Sequence, residues 1–289
     1  MSTTTPHILS IQSHVATGYV GNRAAVFPLQ RLGCEVTFIN TVQFSNHTGY
    51  GKWTGDIFTA EHIQNVINGL WDHGAIKNID AVLSGYQGSS ALGKIIVETV
   101  ERLKKEYPEV IYCCDPVMGD TDRGIYVKPD AAEFVKHHAV YAADIITPNQ
   151  YELGYLLDRE INSLDDVKSA CQVLHDKGIK IILVTSLTRE GGDPNSIEIL
   201  LSINNEYWVT KTPRLSFPKA LTGSGDATTA IFLAEYLKTK NAVVALEKVT
   251  AAIYAIFKKT HEEKSYELAI IEAQEDFVNP SEKFFARRV

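Results

Sequence analysis

The segment Gly223-Ser224-Gly225-Asp226 follows Thr222 and precedes Ala227-Thr228-Thr229-Ala230. It sets two glycines, a small residue and a carboxylate ahead of the apolar run Ile231 to Ala234. Such a run opens a helix with bare backbone N–H groups. A helix N-terminus carries about half a positive charge and several unpaired donors, so it attracts anions such as a transferring phosphoryl group. Asp226 stands beside those donors and can accept a proton from an attacking hydroxyl. An anion cradle plus a base is what phosphorylation of an alcohol needs. The N–H groups of Gly223, Ser224 and Gly225 would hold the phosphoryl oxygens as charge rearranges. A carboxylate at a helix N-terminus is expected to stay ionised, orienting the hydroxyl and receiving its proton late. The same four residues also read as a Gly-rich turn with Asp226 as a first-turn cap.

Other polar residues fall where strand patterns end. Asp115 follows an apolar run and precedes Pro116, which directs the chain away from a sheet. A carboxylate there can meet a metal that bridges nucleotide phosphates. Asn149-x-x-Glu152 has the spacing of a capping box at a helix start. Asp120-Thr121-Asp122-Arg123-Gly124 is a polar stretch without an apolar anchor, and by itself reads as a solvated connection. No Walker A sequence occurs, nor the His-Arg-Asp and Asp-Phe-Gly pair of protein kinases. A kinase built on this chain must therefore use the helix-terminus cradle.

Elements that could position these residues alternate along the chain. Strand patterns are expected at Ile8–Ile11, Glu35–Asn40, Ala81–Leu83, Val110–Cys114, Asp144–Ile146 and Lys180–Val184. Helices are expected at Asn22–Arg31, with Ala24, Ala25 and Leu29 inward, and at Glu61–Asp72. Others fall at Ala91–Lys105 (Ile95, Val97 or Ile96, Val100 and Leu103 on one side), Ala132–His138 and Leu164–Lys177. Ile197–Ile203 and Glu206–Thr212 flank Asn204-Asn205, which suits a type I′ hairpin. Helices at Asp226–Lys238, Ala242–Lys258 and Glu267–Asp276 follow. Strand–helix alternation with short connections implies an α/β fold, a mainly parallel sheet covered by helices on both faces. Ligands bind beyond the carboxyl ends of such strands, where Ser13, Gly85-Tyr86, Asp115, Thr147–Asn149 and Thr185 fall. No linker or repeat is visible, so residues 1–289 are expected to form one domain.

Composition narrows the function classes. The net charge is −7, from 28 basic and 35 acidic residues, without a basic run. That argues against nucleic acid as a partner but not against a nucleotide, whose charge a helix terminus and one metal can offset. The four cysteines, Cys34, Cys113, Cys114 and Cys171, form no C-x-x-C pair and no zinc pattern with histidine. Residues 1–6 carry no signal-peptide pattern, and no apolar run approaches about 18 residues. No membrane association and a cytoplasmic location are expected.

The motifs occur in an order that resembles the ribokinase-like vitamin kinases, and among them the pyridoxal kinases. The blocks are Ile11–Val15, Gly18–Ala25, Thr41–Tyr50, Ser84–Tyr86, Cys114–Asp120, Ala143–Asn149 and Gly223–Asp226. The Phe44–Tyr50 block is the most specific, whereas many sugar kinases share Gly-Ser-Gly-Asp. The resemblance implies a ribokinase-like fold with a small flap at Phe44–Trp53. It implies ATP-dependent phosphorylation of the 5′-hydroxyl of pyridoxal, and of pyridoxine and pyridoxamine in some members, with Asp226 as base. It assigns Ser13 and Thr48 to the pyridine ring and its 3-hydroxyl, Tyr86 to ring stacking, and Val20, Phe44 and Gly49 to the rest of the pocket. Taken singly, Tyr86 and Phe44 are ordinary core residue types, and His47 could touch substrate or satisfy loop backbone.

For ATP the resemblance implies Asp115, Asp120, Tyr126, Thr147, Asn149, Glu152, Thr185, Gly223 and Gly225. Residues 120–124 would be a lid, and Thr212, Pro213, Arg214 and Leu215 would lie beside the adenine. Mg2+ would be held by Asp115 and, through water, by Glu152. K+ would lie near Thr147 and Thr185, where some bacterial members carry Lys in place of Thr185. A homodimer is implied. Two other readings stand beside this one: a hydroxymethylpyrimidine kinase of thiamine synthesis on the same fold, and a low-turnover protein that binds B6 vitamers.

Overall fold

The computed structural model describes residues 5–289. The reading of residues 1–6 as free of a leader pattern falls partly on residues 1–4, outside the described residues. The chain begins with β1 (His7–Val15), α1 (Asn22–Arg31), β2 (Glu35–Phe44), β3 (Gly55–Ile57), α2 (Ala60–His73), β4 (Ala81–Ser84) and α3 (Ser90–Glu106). Next come β5 (Ile111–Cys114), the short pair β6 (Gly119–Asp120) and β7 (Gly124–Ile125), and α4 (Pro129–Phe134). α4 passes through a π turn at Val135–Ala139 into α5 (Val140–Ala142), then β8 (Ile145–Ile146), α6 (Gln150–Leu156) and α7 (Leu164–His175). The last third holds β9 (Ile181–Leu187), β10 (Ser196–Ile203), β11 (Glu206–Pro213), α8 (Ser224–Thr239), α9 (Ala242–Glu262), α10 (Gln274–Val278) and β12 (Arg287–Arg288).

Ten strands form one sheet in the order β12-β11-β10-β9-β8-β5-β4-β1-β2-β3. The run from β9 to β2 is parallel throughout, so the carboxyl ends of β1, β4, β5, β8 and β9 share one edge. The order reverses at β1, whose neighbours are β2 and β4. That switch point is where an open α/β sheet leaves a crevice. Alternate residues feed two cores. Leu9, Ile11, Val82, Tyr112, Ile146 and Ile182 pack under α2 to α7. Ile8, Ala81, Leu83, Cys113, Ile145 and Ile181 pack under α1, α8, α9 and α10. Cys113 and Cys114 thus face opposite cores, as neighbours on a strand must.

The sequence reading locates most elements, and its differences from the structure have physical causes. β1 and β2 run on past Ile11 and Asn40, with a register shift between Gln12 and His14 that re-aims the end of β1. On α3 the buried residue is Ile96, while Val97 is only partly covered. Asn204 and Asn205 both have positive φ, 52° and 59°, as the type I′ turn demands. The helix expected at Glu267–Asp276 is a correction. Only Gln274–Val278 is helical, because Leu268, Ala269 and Ile270 are buried in succession, which no single helix face allows.

α8 has no polar face along its first half. Residues Ala227 to Glu235 are all buried, between the sheet, α1 and α9. Glu235, the one charge in this stretch, meets Lys238 at 2.5 Å and Lys248 at 2.6 Å. Core packing therefore fixes where the helix N-terminus points. Phe232 is fully buried at the centre of this layer. We expect Phe232→Ala to cost about 3–5 kcal/mol, read from urea unfolding; a loss under about 1 kcal/mol would contradict this account of α8.

Candidate active site

Gly223 precedes α8 in the left-handed conformation, at φ 80°, and makes no side-chain cap bond. A Cβ there would lie 1.8 Å from the carbonyl oxygen of Tyr19, so only glycine fits. A Cβ on Gly85, just beyond β4, would lie 2.4 Å from Gln12 Oε1 and 3.4 Å from Asp226 Oδ1. These glycines let three backbone segments close around Asp226. Burial pushes the Asp226 carboxyl up to about 6, against an opposing hydrogen bond from the Gly21 backbone. At neutral pH Asp226 is still mainly ionised, as expected, but its proton affinity is higher than a helix terminus alone would leave it. Desolvation outweighs the helix terminus, and Asp226 becomes a stronger base than a surface aspartate.

Asp115 lies beside this turn, 3.6 Å from the Cβ position of Gly225. Burial raises its carboxyl well above the ordinary value, Glu152 and Asp226 push it further, and a hydrogen bond to Thr229 opposes them. The Thr229 hydroxyl also meets that of Thr147 at 2.7 Å. Glu152 is raised by burial too, although three backbone groups favour its charge. Met118 N–H donates to Oε1 at 2.9 Å, Gly119 N–H to Oε1 at 3.4 Å, and Asn149 N–H to Oε2 at 2.9 Å. With Glu152 N–H donating to Asn149 Oδ1 at 2.9 Å, the capping box is complete. Its second carboxylate is thus largely engaged by backbone.

No lysine or arginine is among the groups that shift these three carboxyls. Buried negative charge without a cation beside it is costly. The donor set therefore fits a divalent cation, which Asp115 would hold. Among the described residues no three His, Cys, Asp or Glu side chains converge as direct metal ligands. Magnesium commonly binds in this open manner, through one or two carboxylates and substrate phosphates.

The carboxylates floor a cleft of about 630 Å³ that runs along the sheet edge. Ser13, Val20, Phe44, Thr48, Gly49 and Tyr86 line one end. Phe44, Val15 and Val42 form a small apolar cluster apart from the two sheet cores, with Val20 and Tyr86 packed on it. Phe44 is buried in this cluster, and Tyr86 also packs on the core under α2 to α7, so both join the pocket wall to the interior. Trp53 packs against Phe44 with ring centres 4.3 Å apart and planes tilted by 47°. The segment between β2 and β3 folds over this end as a flap. His47 caps its Thr48–Tyr50 turn, with Nδ1 accepting from Gly49 N–H at 3.2 Å. Burial, reinforced by Arg123, lowers the His47 pKa, which favours the acceptor form that caps the loop.

Asp120, Tyr126, Thr147, Asn149, Glu152 and Thr185 line the other end. Asn149 and Thr185 pair through a parallel bridge, and Asn149 Nδ2 donates to Gly119 O at 2.8 Å. The 120–124 stretch differs from the expected loop: β6 and β7 make it a hairpin. Arg123 ties its ends by donating to Asp120 from both backbone and guanidinium, and lies 4.6 Å from the Tyr126 ring centre. A Cβ on Gly49 would sit 3.9 Å from Arg123 Nη1, so flap and hairpin meet above the cleft. Of Thr212, Pro213, Arg214 and Leu215, the structure brings only Arg214 to the cleft. Thr212 and Pro213 finish β11 in the ladder with β10, and Ile197, Ala220 and Leu221 line the wall instead. Among the described residues, Arg123 and Arg214 are the only arginines lining the cleft, and no lysine lines it. Sequence reasoning placed Arg123 in the 120–124 lid but gave it no role of its own, because an arginine in a polar loop has no local signature.

Comparison with known proteins places this geometry. A family described as Phosphomethylpyrimidine kinase matches residues 45–268. Pyridoxal kinase PdxY of Granulibacter bethesdensis is 45% identical over 97% of this chain and 99% of its own. The PdxY protein of Leifsonia xyli subsp. xyli is 44% identical over 98% and 99%. Among solved structures, pyridoxal kinase from Leishmania donovani in complex with ADP and pyridoxamine superposes with a TM-score of 0.91 at 29% identity, covering 98% of this chain and 99% of that one. Pyridoxal kinase from Entamoeba histolytica gives 0.89 at 30% identity, over 99% and 100%.

The raised Asp226 pKa makes a signed prediction. Stability from a carboxyl raised in the folded state is full below the unfolded value of 3.8 and is lost as pH rises through about 6. The loss attributable to Asp226 is up to about 3 kcal/mol. We expect the urea midpoint of the protein without added ligand to fall as pH rises from about 4 to about 6, and to fall less over that window in Asp226→Asn. An equal or steeper fall in the variant would refute the assignment.

Proposed function

The chain belongs to the pyridoxal kinase family, and from that premise we propose that it transfers the terminal phosphoryl group of ATP to the 5′-hydroxyl of pyridoxal. The product is pyridoxal 5′-phosphate, and pyridoxine and pyridoxamine are alternative acceptors. The observation that carries this reading is the placement of Asp226. It stands at a glycine-built helix N-terminus, between the apolar pocket of Phe44 and Tyr86 and the polar end at Asn149. A flat heteroaromatic ring needs such a wall with a few polar contacts at its rim, which Ser13 and Thr48 supply.

In the proposed reaction the vitamer's ring lies against Tyr86, Val20 and Phe44, and its 5′-hydroxyl is directed at Asp226. The hydroxyl oxygen forms a bond to the γ-phosphorus while the bond from that phosphorus to the bridging oxygen of ADP breaks. The hydroxyl proton passes to Asp226. The N–H groups of Gly223, Ser224 and Gly225 face the oxygens of the group in flight. Magnesium at Asp115, with Glu152 acting through water, and potassium near Thr147 and Thr185 are the cofactors we assign, which when bound neutralise phosphate charge. Flap and hairpin exclude water, which would otherwise compete with the vitamer for the phosphoryl group. We assign the adenine to the end near Arg214 and Leu221.

The wider organisation follows from the same proposal. One sheet running through the chain supports treating residues 1–289 as a single kinase domain. Burial of all four free cysteines suits a reducing cytoplasm, and no helix among the described residues is long and apolar enough to cross a membrane. A homodimer is proposed from the family's habit. The family described as Phosphomethylpyrimidine kinase makes hydroxymethylpyrimidine the acceptor to test beside pyridoxal.

We expect ADP release with ATP, magnesium and potassium to depend on pyridoxal and to be far slower with hydroxymethylpyrimidine. Asp226→Ala should lower kcat by about 10²- to 10⁴-fold. Tight pyridoxal binding without ADP would replace the kinase with a vitamer-binding protein, and release with the pyrimidine alone would reassign the substrate. A second measurement concerns the cation. Chelation of magnesium should abolish turnover and Asp115→Asn should raise the magnesium requirement; indifference to both would remove Asp115 from the metal site.

A further inference from the structure

One carboxylate outside the reacting groups touches both sides of the vitamer end. Glu267 lies in the irregular segment between α9 and α10. Its Oε2 accepts from the backbone N–H of Tyr19 at 3.2 Å, and its Oε1 accepts from the Tyr50 hydroxyl at 2.6 Å. A Cβ on Gly18 would sit 2.7 Å from Oε1, so glycine is what lets this loop reach the carboxylate. Tyr50 Oη is also 3.4 Å from Thr222 Oγ1, the residue before Gly223. The carbonyl of Tyr19 is the atom against which Gly223 closes. Four segments thus converge at one side chain: the loop after β1, the flap, the entry to the glycine turn, and the chain beyond α9.

The flap has few other anchors near its tip. No residue of its Thr48–Tyr50 turn is buried, and Tyr50 is 47% exposed. Apolar burial therefore does not hold the tip down. Phe44 and Trp53 anchor only the base of the flap. At the tip the strongest contact is the Tyr50–Glu267 bond, short and assisted by the carboxylate charge. Burial and the Glu267 carboxylate both raise the Tyr50 pKa, so the phenol remains a donor through neutral pH.

We propose that Glu267 is a positioning residue that latches the flap, holding Tyr50 and the Gly18–Tyr19 loop together so that Thr48 and Val20 close on the vitamer. The inference rests on the kinase reading of the site. The latch acts on one substrate. The two segments that Glu267 itself binds, the Gly18–Tyr19 loop and Tyr50 of the flap, belong to the vitamer end, whereas Arg123 of the nucleotide hairpin lies 3.9 Å from the Cβ position of Gly49 without touching the latch pair. Losing the latch therefore weakens vitamer retention and leaves ATP recognition intact. It also admits water beside the phosphoryl group, so ATP hydrolysis without vitamer rises.

The test uses the full chain as Tyr50→Phe, Glu267→Ala and the double variant. Tyr50→Phe removes one hydroxyl from an exposed ring and should leave the melting temperature unchanged. We expect it to raise the KM for pyridoxal about tenfold, as loss of a hydrogen bond to a charged group does, while the KM for ATP stays within about twofold. Pyridoxal should dissociate faster in stopped-flow fluorescence. In the Glu267→Ala background the same change should have no further effect, because the bond is already gone. An unchanged pyridoxal KM and dissociation rate in Tyr50→Phe would overturn the latch, as would equal losses for both substrates or additive effects in the double variant. Pyridoxal affinity measured by direct titration keeps the two readings separate. A protein that binds pyridoxal through the latch without making ADP would sink the kinase reading and leave this one standing.

Discussion

The contact between Gly223 and the carbonyl of Tyr19 is the constraint from which the site is built. The first turn of α8 can meet the loop after β1 only because residue 223 has no side chain and tolerates a positive φ. That contact brings residues far apart in sequence into one wall. It sets the N–H groups of the glycine turn against the switch point of the sheet, where the strand ends deliver Asp115, Thr147 and Thr185. The burial of α8 makes the contact rigid, since a helix apolar on every side cannot rotate to relieve a clash. Precision at the anion cradle is therefore inherited from core packing.

The second determinant is electrostatic. Asp115, Glu152 and Asp226 are all buried, Glu152 and Asp226 raise the proton affinity of Asp115, and no lysine or arginine is among the groups that shift them. A site of this kind sacrifices folding stability when its carboxyls ionise and recovers it when a cation or a proton arrives. Glu152 meets the problem with backbone donors at the start of α6. Asp115 has Thr229 alone, which leaves it the member best suited to take up external positive charge.

Much of this was legible in the sequence because local spacing encodes local structure. The alternating periods located α1 within its observed bounds, Asn204-Asn205 announced its turn, and Asn149-x-x-Glu152 its cap. The glycine pair before Asp226 was readable because no other side chain permits the geometry. What escaped depends on burial or on contacts between remote segments. The proton affinity of Asp226 comes from desolvation, which no spacing reveals. The expected helix at Glu267–Asp276 failed because its apolar residues serve successive directions. Thr212, Pro213 and Leu215 missed the cleft because the β10–β11 ladder claims the first two and only Arg214 turns inward. Glu267 carried no local sign at all, since its partners Tyr19 and Tyr50 are more than two hundred residues away.

The cationic lining of the cleft has a further chemical meaning. Pyridoxal bears an aldehyde, which condenses with primary amines to form imines and adds thiols. Both cleft cations described here are guanidiniums, which do not condense with aldehydes under mild conditions, and neither lysine nor cysteine lines the space. The thiols lie inside the cores, with Cys34 pushed up to about 11 and Cys114 and Cys171 to about 12 by burial, so they are protonated at neutral pH as well as screened. A reactive carbonyl compound can therefore enter, wait and leave without being captured by the walls that recognise it.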